Sequence, residues 1–104
     1  MKLLFVVNPK SGNKEIITAR LSELAEKQKY KYKFVYTKGE SDPERISEMM
    51  KEFQPETVVA SGGDGTINMV ATLLIDKGIP LGIIPTGSAN GLAFNLDIPR
   101  NIEK

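Results

Sequence analysis

The chain has 104 residues, with 14 Lys and Arg against 13 Asp and Glu for a net charge of +1, and neither Cys nor His. That length suits one small domain with a modest core, and the near-neutral balance argues against a dedicated polyanion binder. Without Cys there is no disulfide framework, thiolate nucleophile or thiolate-bound zinc. Without His there is no Ser-His-Asp triad, imidazole base or imidazole-held transition metal in the chain. A metal used here must be hard and oxygen-ligated, which favours Mg²⁺. No run approaches the ~20 apolar residues of a membrane span. The run at residues 3–7 is too short, and too soon broken by turn residues, for a signal peptide. The chain therefore reads as cytoplasmic, at most peripheral to a membrane, with oligomerisation left open.

Leu3-Leu4-Phe5-Val6-Val7 is the continuous apolar run of a strand covered on both faces. Asn8-Pro9-Lys10-Ser11-Gly12 breaks it, and Ile17, Leu21 and Leu24 come next at helical spacing. Residues 30–36 alternate and are rich in aromatics, as in a strand. After a turn at residues 37–40, Ser41 is placed to cap a helix, with Pro43 near its first turn and Glu44 completing a capping box. Ile46, Met49, Met50 and Phe53 form that helix's apolar stripe, and Pro55 ends it. Residues 57–60 are the third strand. Val70, Leu73 and Leu74 mark a further helix closed by Gly78 and Pro80. Leu81-Gly82-Ile83-Ile84 is a fourth strand, succeeded by a loop at residues 86–91 and a short helix through Leu92, Ala93 and Leu96.

Strands alternating with helices mean right-handed βαβ units. The fold class is therefore α/β, a three-layer sandwich with a parallel sheet of about four strands in the order 2-1-3-4 and helices on both faces. No repeat, low-complexity segment or internal linker interrupts it, so residues 1–104 are read as one domain. In such sheets ligands bind beyond the carboxyl ends of the strands. Three polar, glycine-bearing loops leave those ends, at residues 8–12, 62–66 and 86–91.

The most telling of them is Ser61-Gly62-Gly63-Asp64-Gly65-Thr66-Ile67-Asn68, between a strand and a helix. Its glycines allow a sharp turn and close approach of amide N–H groups to a ligand, which is how a phosphate cradle is built at a helix start. Asp64 places a carboxylate inside that cradle. It is tolerable beside phosphate when a divalent cation neutralises it or when it accepts a proton from an attacking hydroxyl, and both point to phosphoryl transfer. The plainer alternative is that Asp64 only caps the helix.

Asn8-Pro9-Lys10-Ser11-Gly12, Gly62-Gly63-Asp64-Gly65-Thr66-Ile67-Asn68 and Pro85-Thr86-Gly87-Ser88-Ala89-Asn90, in that order, resemble the catalytic domain of the diacylglycerol kinase family. That family includes bacterial lipid kinases and the sphingosine and ceramide kinases. The resemblance spans nearly the whole chain. It implies ATP contacts from Asn8, Pro9, Lys10, Ser11, Gly12, Gly62, Gly63, Asp64, Gly65, Thr66 and Asn68, from Gly87, Ser88 and Asn90, and from Thr37 after the second strand. Asp64 would stand at the reacting centre, activating the lipid hydroxyl or holding Mg²⁺ through water; other metal ligands are not assigned. Met69, Gly91 and Phe94 stand where many members have Glu, Asp and Arg, and residues 87–93 are closer to the sphingosine-kinase type. Family members also carry a second, all-β domain. The chain is accordingly expected to be the nucleotide-binding half of a two-domain kinase, inactive alone, with ATP and a lipid at a membrane surface as partners.

Other features have plainer readings. Tyr30, Tyr32, Phe34 and Tyr36 fall on one strand face and Lys31 and Lys33 on the other. That pattern could stack RNA or touch anionic headgroups, but lysines on an edge strand also discourage aggregation; nucleic acid is not expected as a partner. No Gly-x-x-x-x-Gly-Lys-Ser/Thr motif is present, so this is not a P-loop protein. An NAD kinase and a non-catalytic nucleotide-binding module remain the competing readings.

Overall fold

The computed structural model describes residues 1–11 and 13–85. The expected loop at residues 86–91, the short helix after it and Gly12 lie outside the described residues. Four parallel strands, β1 (Lys2–Val7), β2 (Lys31–Tyr36), β3 (Thr57–Gly62) and β4 (Leu81–Pro85), form a sheet in the order β2-β1-β3-β4. Three helices connect them, α1 (Lys14–Lys27), α2 (Asp42–Phe53) and α3 (Asp64–Leu73), and a 3-10 turn at Pro9–Ser11 precedes α1. The expected architecture and strand order are both observed.

The alternating side chains of the central strands feed two cores. Leu4, Val6, Val58 and Ala60 pack with Ile46 and Met50 of α2 and with Val70 and Leu74 at the end of α3. Leu3, Phe5, Val7 and Val59 face Ile17, Leu21 and Ala25 of α1 on the other side. Each fully buried Val, Leu, Ile or Phe contributes roughly 1.5–3 kcal/mol, so β1, buried from Leu3 to Val7, is the pillar of the sheet. Leu24 is only half-buried and Ala25 takes the inward place. Met49 and Phe53 likewise flank the α2 stripe rather than fill it.

The outer strand β2 keeps to its alternation. Tyr32, Phe34 and Tyr36 lie against the α1-side core, with Phe34 stacked on Phe5 at 4.9 Å between ring centroids. Lys31 and Lys33 are exposed on the other face, where the Lys33 ammonium sits over the Phe53 ring at 5.7 Å. The aromatics are therefore partly buried against the core, with Phe34 stacked between Phe5 and Tyr36.

Two local expectations change. β3 continues to Gly62 rather than stopping at Ala60, because Ser61 still pairs with Val7 and Ile84, and Gly62 with Pro85. Ser41 occupies the N-cap place of α2 at φ −83°, ψ 1°, which is not the extended cap geometry, and its hydroxyl makes no capping bond. The capping box with Glu44 does not form. Asp42 reaches back instead, accepting from the Lys38 and Gly39 amides at 2.8 and 2.9 Å.

Candidate functional site

Because all the strands are parallel, their carboxyl ends share one rim. The peptide joining Val7 to Asn8 is held there from both sides. The Val7 carbonyl accepts from the Thr37 amide and the Asn8 amide donates to the Ser61 carbonyl, each at 2.9 Å. Thr37 is half-buried at the exit of β2. The start of the first loop thus lies between the ends of β2 and β3.

The Asn8 side chain organises the first loop. Its Oδ1 accepts from the Lys10 amide at 2.9 Å, closing the turn that carries Pro9, Lys10 and Ser11, and its Nδ2 donates to Thr66 Oγ1 at 3.5 Å. Thr66 is buried in the first turn of α3, so Asn8 ties the first loop to the glycine loop. Gly62 lies beneath this tie. A β-carbon there would stand 3.0 Å from Thr66 Cβ and 3.1 Å from Asn8 Cβ, so only glycine lets the two loops close on each other.

Gly63 and Gly65 have a different character. A β-carbon at either would meet nothing among the described residues within 4 Å, and Gly63 holds an ordinary φ of −87°. Gly65 lies inside α3, where glycine costs about 1 kcal/mol relative to Ala. Neither the packing nor the backbone of the described residues calls for glycine at these positions.

Gly63 is the N-cap of α3, and no side chain among the described residues caps that helix. The contrast with α1 is direct, since Asn13 Oδ1 accepts from the Ile16 amide at 3.0 Å there. At α3 the first-turn amides, which have no acceptor within the helix, face the rim together with the positive end of the helix dipole. Asp64 is the first residue of α3 and is exposed, so it is not the cap. Asn68 is exposed one turn further on, and residues four apart in a helix are surface neighbours.

The first loop, Thr37 and the glycine loop are therefore brought together. Lys10 is exposed beside them, and among the described residues no group of three or more Asp, Glu, His or Cys could hold a metal ion. β4 ends at Pro85, paired with Gly62, so the chain leaves that strand next to the glycine loop; Gly87, Ser88 and Asn90, like Gly12, are outside the described residues. An apolar cleft of about 410 Å³, lined by Leu74, Ile75, Ile79 and Leu81 among others, lies at the other end of α3 and β4 and has no part in the rim.

Asp42 and Arg45 were missed by the sequence reading. Arg45 Nη1 donates to Asp42 Oδ1 at 2.9 Å and Nη2 to the Tyr36 carbonyl at 3.1 Å. Together they enclose the turn that carries Thr37. The signal was an Asp just before Pro43 with Arg three residues on, which is common in a solvated first helical turn.

The chain is also similar to known proteins. The chain is 36% identical to the "Probable lipid kinase YegS-like" protein of Enterobacter sp. (strain 638), over 97% of the chain and 35% of that protein. It is 38% identical to the protein of the same name from Yersinia pestis (strain Pestoides F), with the same shares covered. A solved diacylglycerol kinase from Bacillus anthracis str. Sterne superposes with a TM-score of 0.63 at 27% identity, over 97% of this chain and 39% of that one. The chain thus spans about a third of the length of the curated relatives it matches. No helix among the described residues is long and apolar enough to cross a membrane. The model of the diacylglycerol kinase catalytic domain matches residues 2–104, and the chain belongs to that family.

Proposed function

We propose that this chain forms the ATP-binding part of a lipid kinase, which transfers the γ-phosphoryl group of ATP to a lipid hydroxyl. One observation carries the reading. Gly63 and Gly65 flank an exposed aspartate at a helix start that no side chain among the described residues caps, and a β-carbon on either would meet none of those residues within 4 Å. Glycine is required there once a ligand's phosphates lie against the backbone. Membership of the diacylglycerol kinase family supports ATP as the nucleotide and a lipid hydroxyl as the acceptor.

In this reading the amides of residues 64–66 and the dipole of α3 receive phosphate oxygens. Asn8 and the Lys10 turn close the cradle from the side of β1, and Thr37 contacts the nucleotide from the end of β2. Gly12, Gly87, Ser88 and Asn90 complete the contacts on the family pattern. Asp64 takes the proton of the lipid hydroxyl as the hydroxyl oxygen bonds to the γ-phosphorus and the bond from that phosphorus to the β–γ bridging oxygen breaks, releasing ADP.

Mg²⁺, when bound, neutralises charge on the β- and γ-phosphates. The described residues suit it in one way only. Asp64 is a single exposed carboxylate, and it is the residue of the glycine loop that would help hold such a hard cation.

Titration of the chain with MgATP, monitored by amide chemical shifts, tests the binding part. Perturbations concentrated at Asn8, Lys10, Thr37 and residues 62–66 are expected, and the absence of saturable binding would overturn it. For the chemistry, Asp64→Asn in a full-length kinase carrying this segment is expected to lower kcat by a factor of about 100 or more, with KM for ATP nearly unchanged. Lipid phosphorylation at the wild-type rate would remove Asp64 from the reaction.

A further inference from the structure

We infer that the Asp42–Arg45 pair is a positioning device for the nucleotide site, holding Thr37 at the rim; this rests on the ATP-binding reading above. Asp42 is 5% exposed, yet both its oxygens are engaged: Oδ1 by the Lys38 amide and Arg45 Nη1, Oδ2 by the Gly39 amide. Arg45 uses its second terminal nitrogen on the Tyr36 carbonyl. The pair therefore grips the backbone immediately before Thr37 and immediately after it. The Thr37 amide is fixed in turn by the Val7 carbonyl.

The chemistry explains why these residue types are used. A buried carboxylate is costly unless its charge is matched and its lone pairs are filled. Here two amides and a guanidinium do both. The forked guanidinium bonds a carboxylate and a carbonyl at once, which a lysine ammonium on a flexible stem does with far less directionality. An ordinary helix start needs only one capping oxygen. This arrangement spends a part-buried ion pair on a turn of four residues, and the residue whose two flanking peptides it holds is Thr37, at the carboxyl end of β2. A turn so held presents Thr37 to the ligand without an ordering cost on binding.

A double-mutant cycle on the chain tests the inference, with MgATP as the probe and the dissociation constant measured on folded protein. Asp42→Asn and Arg45→Lys are each expected to weaken binding by about five- to tenfold, and to speed amide exchange at Lys38 and Gly39. In a Thr37→Ala background the same changes are expected to weaken binding less than twofold further, because their effect passes through Thr37. Additive losses in the two backgrounds would overturn the inference, as would wild-type affinity in a folded Arg45→Lys variant. Arg45→Lys keeps a cation beside Asp42, so it serves should Asp42→Asn fail to fold. If the unmodified chain binds no MgATP, the functional reading fails and takes this inference with it. Intact wild-type binding with additive losses sinks the inference alone.

Discussion

Asn8 packs so closely on Gly62 that a β-carbon added to the glycine would lie 3.1 Å from the Asn8 β-carbon, and 3.0 Å from that of Thr66. Both obstructing atoms are anchored directly to backbone, one at the end of β1 and the other in the first turn of α3, so neither can swing away. Gly62→Ala is therefore expected to destabilise the fold by about 1–3 kcal/mol, the usual cost of overpacking. Because the strain falls on the tie between two rim loops, nucleotide binding should be lost with it. Denaturant unfolding checks the first effect, and an unchanged midpoint would show that the loops do not close on each other as described.

Gly63 and Gly65 are expected to behave in the opposite sense. With none of the described residues within 4 Å of either absent β-carbon, alanine should fold without strain. At Gly65, inside α3, it should add roughly 0.5–1 kcal/mol of stability. If these positions are glycine for the sake of a ligand, the same substitutions should weaken ATP binding while raising or preserving the unfolding midpoint. A more stable variant with wild-type ATP affinity would remove the argument for a phosphate cradle.

A pH effect is expected at the far end of β2. The Tyr32 hydroxyl donates to Glu26 Oε2, and this hydrogen bond, more than desolvation or the carboxylate's charge, raises the phenol above its ordinary 10.0. The neutral phenol is the form favoured by folding. Its contribution is thus complete below the unfolded-state value and is lost as pH rises through the higher folded-state value. Ultraviolet titration should show Tyr32 ionising later than a free tyrosine, and Glu26→Gln should bring it back toward normal. The same midpoint in both proteins would mean the bond does not persist in solution.

The fold was legible because the chain's apolar periods agree with its turns. Leu3 to Val7 and Thr57 to Ala60 can only be buried strands, and each intervening helix carries its own stripe. What escaped the sequence was set by backbone geometry. Ser41 and Glu44 have the spacing of a capping box, but Ser41 sits at ψ 1°, and Asp42 reaches back to the turn that Ser41 was expected to serve. Ser61 and Gly62 are turn residues by type, yet neighbours on both sides keep them in the sheet. At the rim, the glycine loop and Asn8 were visible as separate motifs. That Gly62 is glycine for a packing reason and Gly63 for none within the described chain could be learned only from the space around each.

Asn8 itself allows a sharper test of what the rim binds. Asn8→Ala removes both side-chain bonds, to the Lys10 amide and to Thr66 Oγ1, and should cost about 1 kcal/mol per bond at most. Asn8→Asp retains an acceptor for the Lys10 amide and loses only the donor to Thr66, so on structural grounds it is the milder change. It also sets a negative charge beside the first turn of α3. If that turn receives phosphate oxygens, Asn8→Asp should bind MgATP more weakly than Asn8→Ala although it is the more stable of the two, and the gap should narrow as salt screens the charge. Equal affinities at low ionic strength would mean that no phosphate approaches Asn8, and the cradle would have to be sought elsewhere on the rim.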